Sequence, residues 1–111
     1  MAKVLVIGAG RSGLAAAAHL VRESNEVVLA ESKAHPDARA VAELTALGVP
    51  AVWGPHPSCL LDGCSEVVLS PGVPPGIAFL DEARERGIPV IGELELAHRA
   101  LTETRPLAGP V

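Results

Sequence analysis

The chain has almost no aromatic surface: among 111 residues there is one Trp, one Phe and no Tyr. Without such rings it has no platform on which nucleic-acid bases could stack. Positive charge is scarce as well. Nine Lys and Arg against thirteen Asp and Glu leave a net charge of -4, and the basic residues form no cluster. That balance argues against a nucleic-acid or anionic-membrane partner. No apolar run approaches the ~20 residues of a membrane span, and the amino-terminal run is stopped by Gly8 too early for a signal sequence. A cytoplasmic protein is expected. Cys59 and Cys64 lack a second Cys or His cluster and read as ordinary thiols rather than a disulfide or metal site. Also missing are a G-x-x-x-x-G-K-[ST] loop for a nucleoside triphosphate and any Ser, His and Asp at the spacing of a known nucleophilic constellation.

What is present is glycine at defined places. The apolar run Val4, Leu5, Val6, Ile7 breaks into Gly8, Ala9, Gly10, Arg11, Ser12, Gly13 and resumes as Leu14 to Ala18. This reads as strand, tight turn, helix. Gly8 allows the sharp turn, Gly10 lets the backbone approach a phosphate, and Gly13 lets the helix pack close to the sheet. The first N–H groups of a helix lack intrahelical partners and sit at the positive end of its dipole, so a diphosphate fits there. Arg11 and the Ser12 hydroxyl add to that cradle. A second strand pattern, Val27 to Ala30, ends in Glu31, which lies 18 residues after Gly13. That is close to the roughly 20 expected for the ribose-binding acid of a dinucleotide fold.

At this length one domain is expected, burying about 60–70% of its unfolded surface without metal or disulfide. A helix over residues 12–23 is followed by a strand near Glu26 and by the loop Glu31, Ser32, Lys33. Pro36 and Asp37 start a second helix that Gly48 stops, with Val41, Leu44 and Leu47 expected to face the sheet. A third strand over 49–53 leads through Pro55, His56 and Pro57 to a short helical turn ending near Leu61. Strand four, Glu66 to Leu69, runs into Ser70, Pro71, Gly72, Val73, Pro74, Pro75, Gly76, whose three prolines and two glycines restrict its shape. A helix over 77–86, a strand over 89–91 and a last helix from Glu93 to about Leu101 complete the pattern.

Strands alternating with helices at this spacing predict an α/β, Rossmann-like fold: a five-stranded parallel sheet, order 3-2-1-4-5, with flanking helices. The chain direction reverses between strands one and four, and ligands of such sheets bind outside the carboxyl ends of the strands at that point. The glycine turn, Glu31 and the loop Ser70 to Gly76 all converge there. Other constellations are weaker. Glu95 and His98 have a di-iron spacing but no second copy, and read as solvated helix surface. His19, His35 and His56 fall on unrelated elements, and Trp53 reads as core or edge packing.

VLVIGAGRSG at 4–13, Glu31, LSPGVP at 69–74 and IPVIGELELA at 88–97 cover nearly the whole chain in order. On these residues the sequence resembles the amino-terminal domain of the Mur ligases, most closely their D-glutamate-adding branch. The resemblance implies that the pocket takes a UDP-sugar rather than a dinucleotide. Gly10, Arg11, Ser12 and Gly13 would meet the diphosphate, and Glu31, Ser32 and Lys33 the uracil and ribose. Ser70, Pro71 and Gly72 would close the other side. Glu31 stands where the family often has Asp, and Lys33 where Arg is common, losing a planar two-pronged donor. The resemblance further implies a full-length, monomeric enzyme that uses ATP and Mg2+ to join D-glutamate to UDP-N-acetylmuramoyl-L-alanine. Residues 1–105 would form the UDP-binding domain and 106–111 a linker toward an ATP-binding domain. The fragment itself would be inactive and hold no cofactor or catalytic residue. An NAD-binding regulatory or dehydrogenase module is the alternative, and an interaction domain with an empty pocket a third reading.

Overall fold

The structure, a computed structural model, describes residues 2–74 and 77–104. Pro75 and Gly76, and the linker expected at 106–111, lie outside the described residues. Strand β1 (Lys3–Ile7) is buried on both faces, which is why it reads as an unbroken apolar run rather than an alternating one. Around it stand β2 (Glu26–Glu31), β3 (Ala51–Trp53), β4 (Glu66–Leu69) and β5 (Val90–Gly92), all parallel, in the expected order 3-2-1-4-5. Ile7 pairs with Ala30 on one side and with Leu69 on the other. The carboxyl ends of β2, β1 and β4 are therefore level.

Alternate residues of β1 belong to different cores. Val4 and Val6 pack with Ala16, Ala17 and Leu20 of helix α1 (Arg11–Arg22), Leu44 of α2 (Ala38–Leu47) and Leu96 of α4 (Glu93–Thr104). Leu5 and Ile7 pack on the opposite face with Leu61 of a 3-10 turn (Ser58–Leu61) and with Leu80 and Ala83 of α3 (Ala78–Glu85). Small side chains let α1 lie close to the sheet. Gly13 sets the limit, because a Cβ there would overlap the Gly8 carbonyl oxygen.

Elements follow the expected pattern with differences at their ends. Asp37 caps α2, accepting a hydrogen bond from Ala40 N at 3.0 Å, so the helix proper begins at Ala38. Its buried positions are Ala40 and Leu44, while Val41, expected to face the sheet, is exposed. Each residue turns a helix by about 100°; Ala40, Leu44 and Leu47 centre the inner stripe and leave Val41 at its flank. Strand β3 begins at Ala51 rather than at 49. Val49 N instead donates to Leu44 O at 2.9 Å, closing the end of α2, and Pro50 has no N–H to give a ladder. Strand β5 is displaced by one residue for a related reason, since Pro89 contributes only its carbonyl, which accepts from Val67 N at 2.9 Å. Helix α4 extends past Leu101 to Thr104, and Arg99 forks onto Glu66 of β4 at 2.9 and 3.0 Å.

Among the described residues no helix is long and apolar enough to cross a membrane. No three of their His, Cys, Asp or Glu side chains are grouped to hold a metal ion. Cys59 and Cys64 are free thiols, Glu95 and His98 are exposed, and Trp53 packs at the edge of the core.

Candidate functional site

A crevice of about 640 Å³ opens at the carboxyl ends of the strands, where the order of connection reverses between β1 and β4. The turn after β1 forms its floor. Gly8 N donates to Ala30 O at 2.8 Å, and its φ of +110° suits glycine alone. A Cβ at Gly8 would also stand 2.6 Å from the Ser70 Cβ, so the turn after β1 and the turn after β4 touch. Gly10 then caps α1 in an extended conformation, without a side-chain cap. The hydrogen bond from Leu14 N to Gly10 O opens the helix at 3.0 Å. The N–H groups of Arg11, Ser12 and Gly13 precede it, at the positive end of the α1 dipole. No acidic residue occupies the first turn to offset them. A Cβ at Gly10 would meet nothing within 4 Å, so that position faces open space.

Glu31, at the end of β2, is tied into this floor. One carboxylate oxygen accepts from Ala9 N at 2.8 Å; the other accepts from Lys33 N at 3.0 Å and the Ser32 hydroxyl at 3.4 Å. Partial burial alone would raise its carboxyl. The hydrogen bonds from Ala9 and Lys33, the Lys33 charge and the Ser32 hydroxyl outweigh that burial together and hold it below the ordinary glutamate value. Glu31 therefore clamps the glycine turn, and the oxygen that accepts from Ala9 keeps a lone pair for a further donor.

The opposite wall is the turn after β4. Ser70 is buried, with its N donating to Ile7 O and its O accepting from Val73 N, both at 3.0 Å. These bonds present Pro71 and Gly72 at the rim, both exposed. Of the ten residues singled out from the sequence, nine line the crevice: Gly10, Arg11, Ser12, Glu31, Ser32, Lys33, Ser70, Pro71 and Gly72. Gly13 does not line it; it is buried behind the turn against Gly8, with its backbone at the helix start. The sequence reading missed His56, which lines the crevice from the loop after β3. The available signal was topological: β3 neighbours β2, so the loop leaving its carboxyl end reaches the Glu31 side.

A parallel sheet of this order, with a glycine turn feeding a helix at the switch point, defines the class of Rossmann-like α/β domains. Residues 2–92 match the family model described as Mur ligase MurD-like, N-terminal domain, and the chain belongs to that family. It is 45% identical over 96 residues to the UDP-N-acetylmuramoylalanine--D-glutamate ligase of Shouchella clausii, covering 86% of this chain and 21% of that protein. The ligase of the same name from Rippkaea orientalis is 43% identical over 111 residues, covering 98% of this chain and 24% of its own length. The chain thus spans less than a quarter of these relatives. In fold it resembles the crystal structure of UDP-N-acetylmuramate-alanine ligase MurC from Thermotoga maritima. The TM-score there is 0.70 at 23% identity, over 93% of this chain and 23% of that one.

Proposed function

We propose that the crevice binds the uridine diphosphate part of UDP-N-acetylmuramoyl-L-alanine, and that this domain serves a cytoplasmic ligase of peptidoglycan synthesis that adds D-glutamate. The observation that carries the reading is the meeting of the two turns, after β1 and after β4, around the uncompensated start of α1. A diphosphate seated there gains the N–H groups of Arg11, Ser12 and Gly13 together with the dipole. The Arg11 guanidinium and Ser12 hydroxyl supplement them. A ribose hydroxyl donates to the remaining lone pair of Glu31, whose carboxylate the Ala9 and Lys33 N–H groups already hold in place. Ser70, Pro71 and Gly72 exclude water from the other side.

In the full-length enzyme ATP and Mg2+ would be held by residues other than these and would supply the phosphoryl group that activates the alanine carboxylate toward the amine of D-glutamate. None of the 111 residues supplies a triphosphate loop, so this domain holds substrate and does no bond-making. The glycine turn and Glu31 alone favour a second reading, an NAD-binding module, for which the turn at Ser70 has no task. Calorimetric titration with a UDP-sugar and with NAD decides between them. Micromolar to millimolar UDP-sugar binding with weaker or no NAD binding is expected; tighter binding of NAD sinks the ligase reading.

A further inference from the structure

His56 stands on the loop that leaves β3, between Pro55 and Pro57, and lines the crevice. That loop is pinned to the end of β2 two residues earlier, where Gly54 N donates to Glu31 O at 2.8 Å. The imidazole meets Phe79 of α3 edge-on, with ring centroids 5.3 Å apart and planes at 70°. Phe79 in turn packs against the core beneath α3. Fixed proline dihedrals on both sides and an anchored backbone hold the residue at the wall, with Phe79 beside its ring. Its Nδ1 is nevertheless buried, with no hydrogen-bond partner among the described residues. Buried polar atoms are nearly always satisfied, and this one, in a residue that lines a ligand-sized crevice, gains a partner when the imidazole turns about its side-chain bonds toward a bound ligand.

Position says which part of the ligand. The α1 start lies on the other side of Glu31 from the β3 loop, and it is the anion end of the crevice. We propose that His56 is a nucleoside-contacting residue, its imidazole hydrogen-bonding one neutral polar group of the ribose or base. This rests on the reading of the crevice as a nucleoside diphosphate site. The contact fixes the nucleoside against the wall formed by His56 and Phe79 and adds to the affinity set by the diphosphate.

The test titrates the whole chain and its His56→Phe and His56→Asn variants with UDP and with UMP, and follows the imidazole 15N signals of the wild type. His56→Phe keeps a ring against Phe79 and removes both nitrogens; His56→Asn keeps a polar atom near the place of Nδ1. Expected are a loss of about three- to tenfold in affinity for both nucleotides in His56→Phe, recovery of most of it in His56→Asn, and movement of the wild-type His56 imidazole signals on adding UDP. Unchanged UDP affinity in His56→Phe, or imidazole signals that stay still, overturns the proposal. So does a loss seen with UDP and not with UMP, which puts the contact on the terminal phosphate. Should His56→Phe not fold, as judged by its melting curve, the imidazole signals decide alone. Wild-type protein that binds neither nucleotide overturns the crevice reading, and the role of His56 with it.

Discussion

Gly10 and Gly13 are three residues apart and have opposite tolerances. At Gly13 a Cβ meets the Gly8 carbonyl oxygen across the gap between helix and turn, and neither backbone can yield. Gly13→Ala is expected to cost about 3 kcal/mol or more, read as a large fall in melting temperature or loss of soluble protein. At Gly10 a Cβ meets nothing and the backbone is extended, so Gly10→Val should fold with a loss of about 1 kcal/mol from the poorer cap. It should still lose UDP binding at least tenfold in calorimetry, because the added methyl groups fill the space in front of the α1 start. Unchanged affinity would remove the diphosphate from this turn. Glu31 supplies a prediction in pH. Its carboxyl titrates below the ordinary value, so its contribution to stability is complete above about pH 4.3 and is lost as pH falls through the depressed value. Melting temperatures of Glu31→Gln should therefore fall less than those of the wild type between pH 5 and pH 3. Sequence spacing alone marked Glu31 as the acid at the end of the second strand. It could not reveal that Ala9 and Lys33 already donate to it, since those bonds exist only once the turn has closed. His56 was illegible for a related reason: its neighbour Phe79 comes from α3, an element that follows β4 in the chain.

Helices and strands were readable because each carries its own punctuation. Asp37 before α2 and Gly48 after it, at φ +73°, mark the two ends of the helix by cap chemistry that any local window contains. Asp37→Ala should remove the bond to Ala40 N and lower stability by about 1 kcal/mol, a fall of about 4–8 °C in melting temperature. A shift below 1 °C would mean that water or a neighbour replaces the cap. The inner face of α2 was harder to place, because alanine at position 40 carries little apolar signal and valine at 41 carries more. Packing is decided by which side of the cylinder meets α1 and the sheet, and the smaller side chain is the one that fits. The ends of β3 and β5 shifted where a proline lends only its carbonyl to the ladder, a distinction that hydrophobic pattern does not encode.

For the molecule as a whole, alternation of strands and helices with right-handed crossovers leaves few topologies, which is why the order 3-2-1-4-5 and the place of the crevice followed from the sequence. Ligand identity did not follow from topology. It rests on the turn at Ser70 and on the family to which the chain belongs. If the crevice takes UDP, the ligand must stabilise the fold that forms it: at a hundred times its dissociation constant the gain is about 2.7 kcal/mol, or a rise in melting temperature of about 10–20 °C, with NAD at equal concentration giving less. Strand β1 has a bearing on how that site fails. It feeds both cores at once, with Val4 and Val6 on one face and Leu5 and Ile7 on the other, and it has a partner along each edge. Its amides should exchange with deuterium only when everything opens, while those of the three-residue outer strands β3 and β5 exchange through smaller fluctuations. The glycine turn hangs directly from this last strand to let go. Warming should accordingly leave the diphosphate end of the crevice intact until the sheet itself dissolves, so that affinity for the diphosphate vanishes in one step with the fold instead of eroding ahead of it.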